Sequence, residues 1–307
     1  MTHPQVDAWV FKPRHREILE RRLPGLEVIV ASNSKEFIAR LAWAEAAVVW
    51  YFRKDWLTQA RNLRLIVTPA AGRDWIEPEE TPGLAIWFGG FHGPMIAESV
   101  AGAMLYFAKA FGLSREMQRR KKWARLKISN CIRSLGGARV TILGFGKIGQ
   151  AIGRCLKAFG CQIAGVRRHV GERPDYFTPG DQVVTVGELA GLLPRSDHLI
   201  LTLPGGPETR GFLTRDNLRM LPAGSFLYNV GRGNACCEGD LVEALLAGNL
   251  AGAYLDVFEE EPLPEESRLW EMENVLIQPH LSAAAPEYLD RFADELADKL
   301  LAGGASR

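Results

Sequence analysis

Three side-chain types that could together reduce a carbonyl stand behind three apolar runs. Arg232 follows SFLYNV within NVGRG. Asp256 ends GAYLD, ahead of the acidic stretch Glu259, Glu260 and Glu261. His280 closes NVLIQPH. In open α/β sheets, ligands bind beyond the carboxyl ends of the strands. An arginine, a carboxylate and a histidine at such ends can therefore converge. The set suits reduction of a 2-oxo acid beside a nicotinamide. A guanidinium holds the substrate carboxylate through paired hydrogen bonds and polarises the carbonyl. An imidazole gives a proton to the oxygen that becomes the alcohol. A carboxylate orients that imidazole and favours its protonated form.

A carrier for the hydride has its own signature. GFGKIG, comprising Gly144, Phe145, Gly146, Lys147, Ile148 and Gly149, follows the strand RVTIL and opens the helix KIGQAIGRCLKAFG. GxGxxG between a strand and a helix is the dinucleotide fingerprint. The first glycine makes the turn, the second admits the pyrophosphate, and the third lets helix and strand pack. The anion then meets a helix N-terminus. An NAD site closes its second strand with an acid that takes the ribose hydroxyls. Here Arg167 stands in that place, with Arg168 after it. A guanidinium binds a 2′-phosphate where a carboxylate would repel it, and Arg168 can stack on the adenine or add a contact. NADP is the expected cofactor, with NAD possible.

Such residues need sheets to carry them. A chain of 307 residues has room for two domains. DAWVF, LEVIVA, AAVVWYF, LRLIVT and LAIWF read as buried strands, with helices RHREILERRL and KEFIARLAWA among the early ones. PMIAESVAGAMLYFAKAFGLSREMQRR reads as one long helix. A second strand–helix series runs through RVTIL, QIAGV, DHLILTL, SFLYNV, GAYLDVF and NVLIQPH, and PEYLDRFADELADKLLA is an amphipathic helix. Short apolar strands alternating with helices predict two parallel α/β units.

Composition removes several classes. Formal net charge is +1, so no global field draws nucleic acid or an acidic membrane. The basic run ending in KKWARLK reads as a solvated helix face. No signal peptide is visible in MTHPQVDAWVFKPRHRE, and the most apolar stretch, MIAESVAGAMLYFA, carries Glu98. Five unpaired cysteines predict reduced cytoplasmic thiols and no metal site.

GFGKIG, TLPGGPETRGFLTRDNLRMLPAGSFLYNVGRG and GAYLDVFEEEPLP…NVLIQPH together resemble the D-isomer-specific 2-hydroxyacid dehydrogenases. The resemblance is specific over residues 97–282 and weaker over 1–96. It implies a Rossmann dinucleotide-binding domain (97–280) inserted into a smaller flavodoxin-like α/β substrate domain (1–96, rejoined by the helix in 281–307). It also implies a cleft between them and a homodimer. Carried over by position, Arg232 matches the substrate arginine, His280 the acid/base, and Glu261, which precedes a proline, its carboxylate. Asp256 resembles the residue holding the nicotinamide carboxamide. Pro204, Thr209 and Val230 fall along the cofactor. Ala71, Gly72 and Arg73 fall on the substrate-carboxylate loop, where Arg73 is unexpected and pairs with an acid or reaches an anionic substrate tail. Phe52, with Trp50 and Arg53, falls where the substrate loop begins, and Cys236 and Cys237 read as packing residues. The resemblance points to a cytoplasmic, NADPH-preferring reductase of glyoxylate, hydroxypyruvate or a similar acid. An NAD-linked oxidation such as that of 3-phosphoglycerate, or a dinucleotide-sensing corepressor, are the alternatives.

Overall fold

Pro13 supplies a φ suited to a first helical turn, and helix α1 runs Pro13–Arg22. Asn33 caps α2 (Ser34–Arg40), its side chain accepting the Glu36 N–H at 2.9 Å. Strands β1 (Ala46–Val48), β2 (Leu65–Thr68) and β3 (Ala85–Phe88) follow, parallel and in that spatial order. This computed structural model describes residues 6–304. Met1–Gln5, which include His3 and the start of the N-terminal reading, and residues 305–307 lie outside the described residues.

The chain forms two units, Met1–His92 with Ala283–Arg307, and Gly93–Ser282. The first is a parallel α/β unit, with three strands among the described residues where the sequence suggests five. Asp7–Trp9 is a 3₁₀ turn. Its Trp9 carbonyl accepts the Trp50 indole N–H, and the Trp9 ring lies 5.7 Å from that of Trp50. The DAWVF segment thus joins an aromatic cluster instead of a ladder. Among the described residues LEVIVA has no strand partner, and its Ile29 and Val30 are exposed. β-branched composition favours a strand only where a neighbouring edge and a buried face exist.

In the second unit, the single helix read from the sequence is two: α3 (Gly93–Ala108) and α4 (Phe111–Arg119). Ala110 adopts a left-handed φ of 51° and breaks the run. Among the described residues, no single helix is long and apolar enough to cross a membrane. After α5 (Arg125–Ser129) come β4 (Arg139–Leu143), α6 (Lys147–Lys157), β5 (Gln162–Arg167), β6 (Gln182–Thr185), α7 (Leu189–Leu192), β7 (His198–Leu201), α8 (Arg215–Met220), β8 (Ser225–Asn229), α9 (Glu238–Leu246), β9 (Leu250–Leu255) and β10 (Val275–Ile277). All seven strands are parallel, in the order β10-β9-β8-β7-β4-β5-β6. β7 and β8 are buried along their whole length, as expected of strands covered on both faces. α6 buries Gly149, Ile152, Gly153 and Leu156, the one-sided spacing of a helix lying on a sheet. The strand order reverses between β4 and β7, which creates the crevice where doubly wound sheets bind ligands.

α10 (Tyr288–Gly304) belongs to the first unit and packs against α1. Its buried Tyr288, Leu289, Phe292, Ala293, Leu296 and Ala297 form one stripe. Arg14 reaches Asp290, and Arg22 reaches Asp294 and Asp298. These pairs are partly exposed and worth little singly, so the apolar stripe supplies most of the hold.

Candidate active site

The Gly144 turn ends β4 in a conformation suited to glycine, with φ at 93°. A Cβ there would lie 2.8 Å from the Thr202 backbone. Gly149 is equally confined, since its Cβ would sit 2.9 Å from the Gly144 carbonyl. Gly146 differs. Its nearest neighbour would be 3.9 Å away, so the space beside it is open. Gly146 is also the N-cap of α6, and no side chain caps that end. An uncapped helix start leaves N–H groups for an outside acceptor. Open space at the middle glycine and unclaimed donors fit a pyrophosphate. Lys147 is exposed and Ile148 half-buried at this end. Phe145, also part of this turn, faces the other way. Its ring is fully buried, and a side chain at Gly165 would collide with it. Its N–H is spent on the Val166 carbonyl at 3.0 Å. Phe145 is a core residue under the turn because its ring points into the sheet–helix layer.

Arg167 ends β5. One terminal nitrogen donates to the Glu172 carbonyl at 3.3 Å, while its Nε is buried with no partner. A buried donor without an acceptor is costly, and an arriving phosphate would supply one. Arg168 is on the surface and paired with Glu208 at 2.9 Å. It must leave that exposed pair to meet a nucleotide, at little cost. Nearby, the buried Thr209 hydroxyl is 2.7 Å from the Pro204 carbonyl and 3.2 Å from that of Gly206, so it clasps the loop after β7. Val230 is buried at the end of β8, its N–H on the Leu201 carbonyl.

Arg232, Glu261 and His280 come together. His280 Nδ1 lies 2.8 Å from Glu261 Oε2, and the other carboxylate oxygen accepts the Phe258 N–H at 3.0 Å. Burial works to raise the Glu261 pKa. The His280 hydrogen bond and charge, the Phe258 N–H and the Arg232 charge outweigh it, and the carboxyl is held below its ordinary range. The His280 side chain is 41% exposed, so its far nitrogen is reachable. The Arg232 loop meets the Glu261 loop because Gly233 has no side chain. A Cβ there would collide with the Phe258 backbone.

Several residues support this arrangement, and one of them, Asn229, carries no signal in the sequence. Buried Asn229 accepts the Gly231 N–H at 3.1 Å and donates to the Arg232 carbonyl at 3.0 Å, folding the turn that holds the arginine. The Asp256 carboxylate accepts the N–H groups of Leu281 (2.7 Å) and Ser282 (3.0 Å), while its carbonyl accepts the His280 N–H at 2.8 Å. Asp256 therefore shapes the turn in which His280 takes a left-handed φ of 54°. Burial raises its pKa despite these hydrogen bonds. Glu259 accepts the Glu238 N–H, and Glu238 accepts that of Glu259. Cys236 is buried, with its thiol pushed up to about 12 by that burial.

The first unit holds the other expected residues. Phe52, expected where the substrate loop begins, is fully buried in the core beside Trp56 and Phe37. Its ring faces inward because the backbone bridges to Ile76, with the N–H on the Trp75 carbonyl. Trp50 is buried against Tyr288, and Arg53 pairs with Asp55 at 3.2 Å. Ala71 is exposed and Gly72 half-buried, and among the described residues neither N–H has an acceptor. The Arg73 guanidinium lies over the Phe88 ring, 4.8 Å from the centroid.

Residues 101–282 match the family model "D-isomer specific 2-hydroxyacid dehydrogenase, NAD binding domain". The glyoxylate reductase of Aeropyrum pernix is 32% identical over 256 residues, covering 81% of this chain and 75% of that protein. The D-3-phosphoglycerate dehydrogenase of Methanocaldococcus jannaschii is 28% identical over 292 residues. That is 92% of this chain, which spans only 54% of that longer relative. Among solved structures, an NADPH-dependent glyoxylate/hydroxypyruvate reductase from Sinorhizobium meliloti, in complex with NADP and sulfate, superposes with a TM-score of 0.80 at 27% identity. The match covers 96% of this chain and 93% of that one.

Proposed function

Since the chain belongs to the D-isomer-specific 2-hydroxyacid dehydrogenases and is an NAD(P)-dependent enzyme, we propose that it reduces small 2-oxo acids to D-2-hydroxy acids with NADPH preferred. Glyoxylate and hydroxypyruvate lead the substrate list, because relatives bearing those names cover most of the chain. The observation that carries the reading is the 2.8 Å contact between His280 and Glu261, made within reach of the Arg232 charge.

The bound dinucleotide supplies the hydride. Gly144, Gly146 and Gly149 with the start of α6 hold its pyrophosphate, and Lys147 and Ile148 flank it. Pro204, Thr209 and Val230 line its path, and Asp256 receives the carboxamide. Arg232 binds the substrate carboxylate by its planar fork, and Ala71 and Gly72 offer backbone N–H groups to the same kind of group. His280 delivers the proton to the carbonyl oxygen from the nitrogen not bound to Glu261. The Arg73 guanidinium, held over the Phe88 ring beside Ala71 and Gly72, favours an acid with a second anionic group as a further substrate.

Cofactor choice rests on Arg167. One charge-assisted hydrogen bond contributes about 1.5–3 kcal/mol, and about 1.4 kcal/mol is tenfold. NADPH is therefore favoured over NADH by roughly 10- to 100-fold in kcat/KM. Arg167→Asp erases or reverses that ratio, and rising salt weakens it in the unaltered protein. The test follows oxidation of each dinucleotide against a panel of 2-oxo acids. Equal kcat/KM for NADH and NADPH would refute the preference, and no turnover with any acid would favour a sensing role.

The proposal includes a homodimer. Phe111, Trp123, Leu126 and Ile132 are exposed within one short stretch, Trp123 at 89%. Clustered exposed apolar side chains mark an association surface. Light scattering should give twice the 34.0 kDa chain mass; a single-chain mass across micromolar concentrations refutes it.

A further inference from the structure

The buried hydroxyl of Tyr288, the first residue of α10, joins two distant parts of the first unit. It lies 2.8 Å from His92 Nε2 and donates to the Pro69 carbonyl at 3.2 Å. His92 is the last residue of the first segment of that unit, and Pro69 follows β2 directly. All three are buried. Pro69 leads into Ala70–Asp74, the loop whose Ala71 and Gly72 N–H groups have no acceptor among the described residues.

The hydrogen count selects one proton order. The tyrosine has one proton, and it goes to Pro69. His92 must then donate from Nε2 to the tyrosine oxygen. His92 Nδ1 has no partner, so in this tautomer only an acceptor lone pair is left over. In the opposite tautomer a buried N–H would be stranded, which costs more. Burial also pushes the His92 pKa down to about 4, so the ring stays neutral and the order holds across the working pH range. The Glu295 carboxylate acts on this ring in the opposite sense to burial, and it accepts the Gly90 N–H at 2.9 Å.

The surroundings keep the relay in register. Tyr288 is flanked by Trp50, stacked at a 6.0 Å centroid distance, and by Phe91 at 4.8 Å. Lys299 holds the Phe88 carbonyl at 3.1 Å, so α10 grips the exit of β3 at three levels. The Gly89 N–H lies between the Thr68 and Ala70 carbonyls, at 3.0 and 3.1 Å, and ties that exit to the start of the loop. A side chain at Gly89 would collide with the Pro69 carbonyl.

We propose that Tyr288 and His92 are positioning residues that hold the Ala70–Gly72 loop, through the Pro69 carbonyl, in the conformation that presents its N–H groups to the substrate carboxylate. The inference rests on the assignment of that loop to the substrate, given above. Tyr288→Phe keeps the ring and its packing and removes only the hydroxyl. KM for the 2-oxo acid should rise about tenfold, equivalent to about 1.4 kcal/mol, with kcat and NADPH affinity little changed. Hydrogen exchange at residues 70–72 should become faster. His92→Gln keeps a donor near the Nε2 position and should stay closer to the unaltered KM than His92→Leu. Unchanged exchange in Tyr288→Phe overturns the relay whatever KM does. So does an equal loss of NADPH affinity, which would mark general damage. Faster exchange with an unchanged KM instead overturns the assignment of the loop to the substrate, and the positioning role with it.

Discussion

His280→Ala lowers kcat by about 10²- to 10⁴-fold, the scale of general acid catalysis, while NADPH affinity barely changes. The expectation follows from geometry. One ring nitrogen is engaged by Glu261 at 2.8 Å, and the side chain is exposed enough for the other to meet a substrate oxygen. Alanine removes the proton donor and leaves the dinucleotide turn at Gly144–Gly149 untouched. Glu261 adds a pH signature. Its carboxyl is held below the ordinary range, so the ionised form persists as pH falls through the usual Glu value and is lost only lower, at its folded pKa. An acid limb controlled by Glu261 should therefore lie below the ordinary glutamate range. Stopped-flow turnover and dinucleotide titration on the alanine variant decide the matter. Near-normal kcat in that variant would remove His280 from the reaction.

Arg232→Lys should lower kcat/KM by about 10²-fold, with KM raised and kcat reduced together. Lysine keeps the charge but loses the planar fork that meets a carboxylate with two bonds. Loss of one charge-assisted bond, about 1.5–3 kcal/mol, corresponds to a change of that order. The turn survives the substitution, because Asn229 holds the backbone of residues 231 and 232 without using the guanidinium. Retained kinetics would sink the assignment, as would a complex with a substrate analogue whose carboxylate lies far from Arg232.

The second unit was the more legible in sequence for a physical reason. Its central strands are covered on both faces, so RVTIL, HLIL and SFLYN are almost continuously apolar, and each motif residue stands at a strand's carboxyl end. Strand β6, which the sequence does not announce, lies at one edge of the sheet, four residues long with a polar start. Edges need less apolar surface and announce themselves less. DAWVF and LEVIVA mislead for the converse reason: their composition suits a strand, but pairing requires a neighbour that composition does not specify. Phe145 and Phe52 show a different limit. Each stands beside a functional motif, yet the direction of a ring depends on the pleat and on which layer has a vacancy. Asp256 illustrates non-local support. Its carboxylate is bound by N–H groups at 281 and 282, brought there only by the adjacency of β9 and β10.

The division of the first unit between two stretches of chain has a consequence in time. β1–β3 lie within residues 46–88, but the helix that fastens the exits of β2 and β3 begins at Tyr288. A ribosome adding about 5–20 residues per second needs on the order of ten seconds to make the intervening unit. The contiguous second unit can fold in that interval from its own residues. The three-stranded sheet waits without α10, its Trp50 and Phe91 lacking the Tyr288 ring they pack against. A nascent chain paused in this window is one enzyme half finished and one half still sticky, and it is there that a holdase chaperone would find its client.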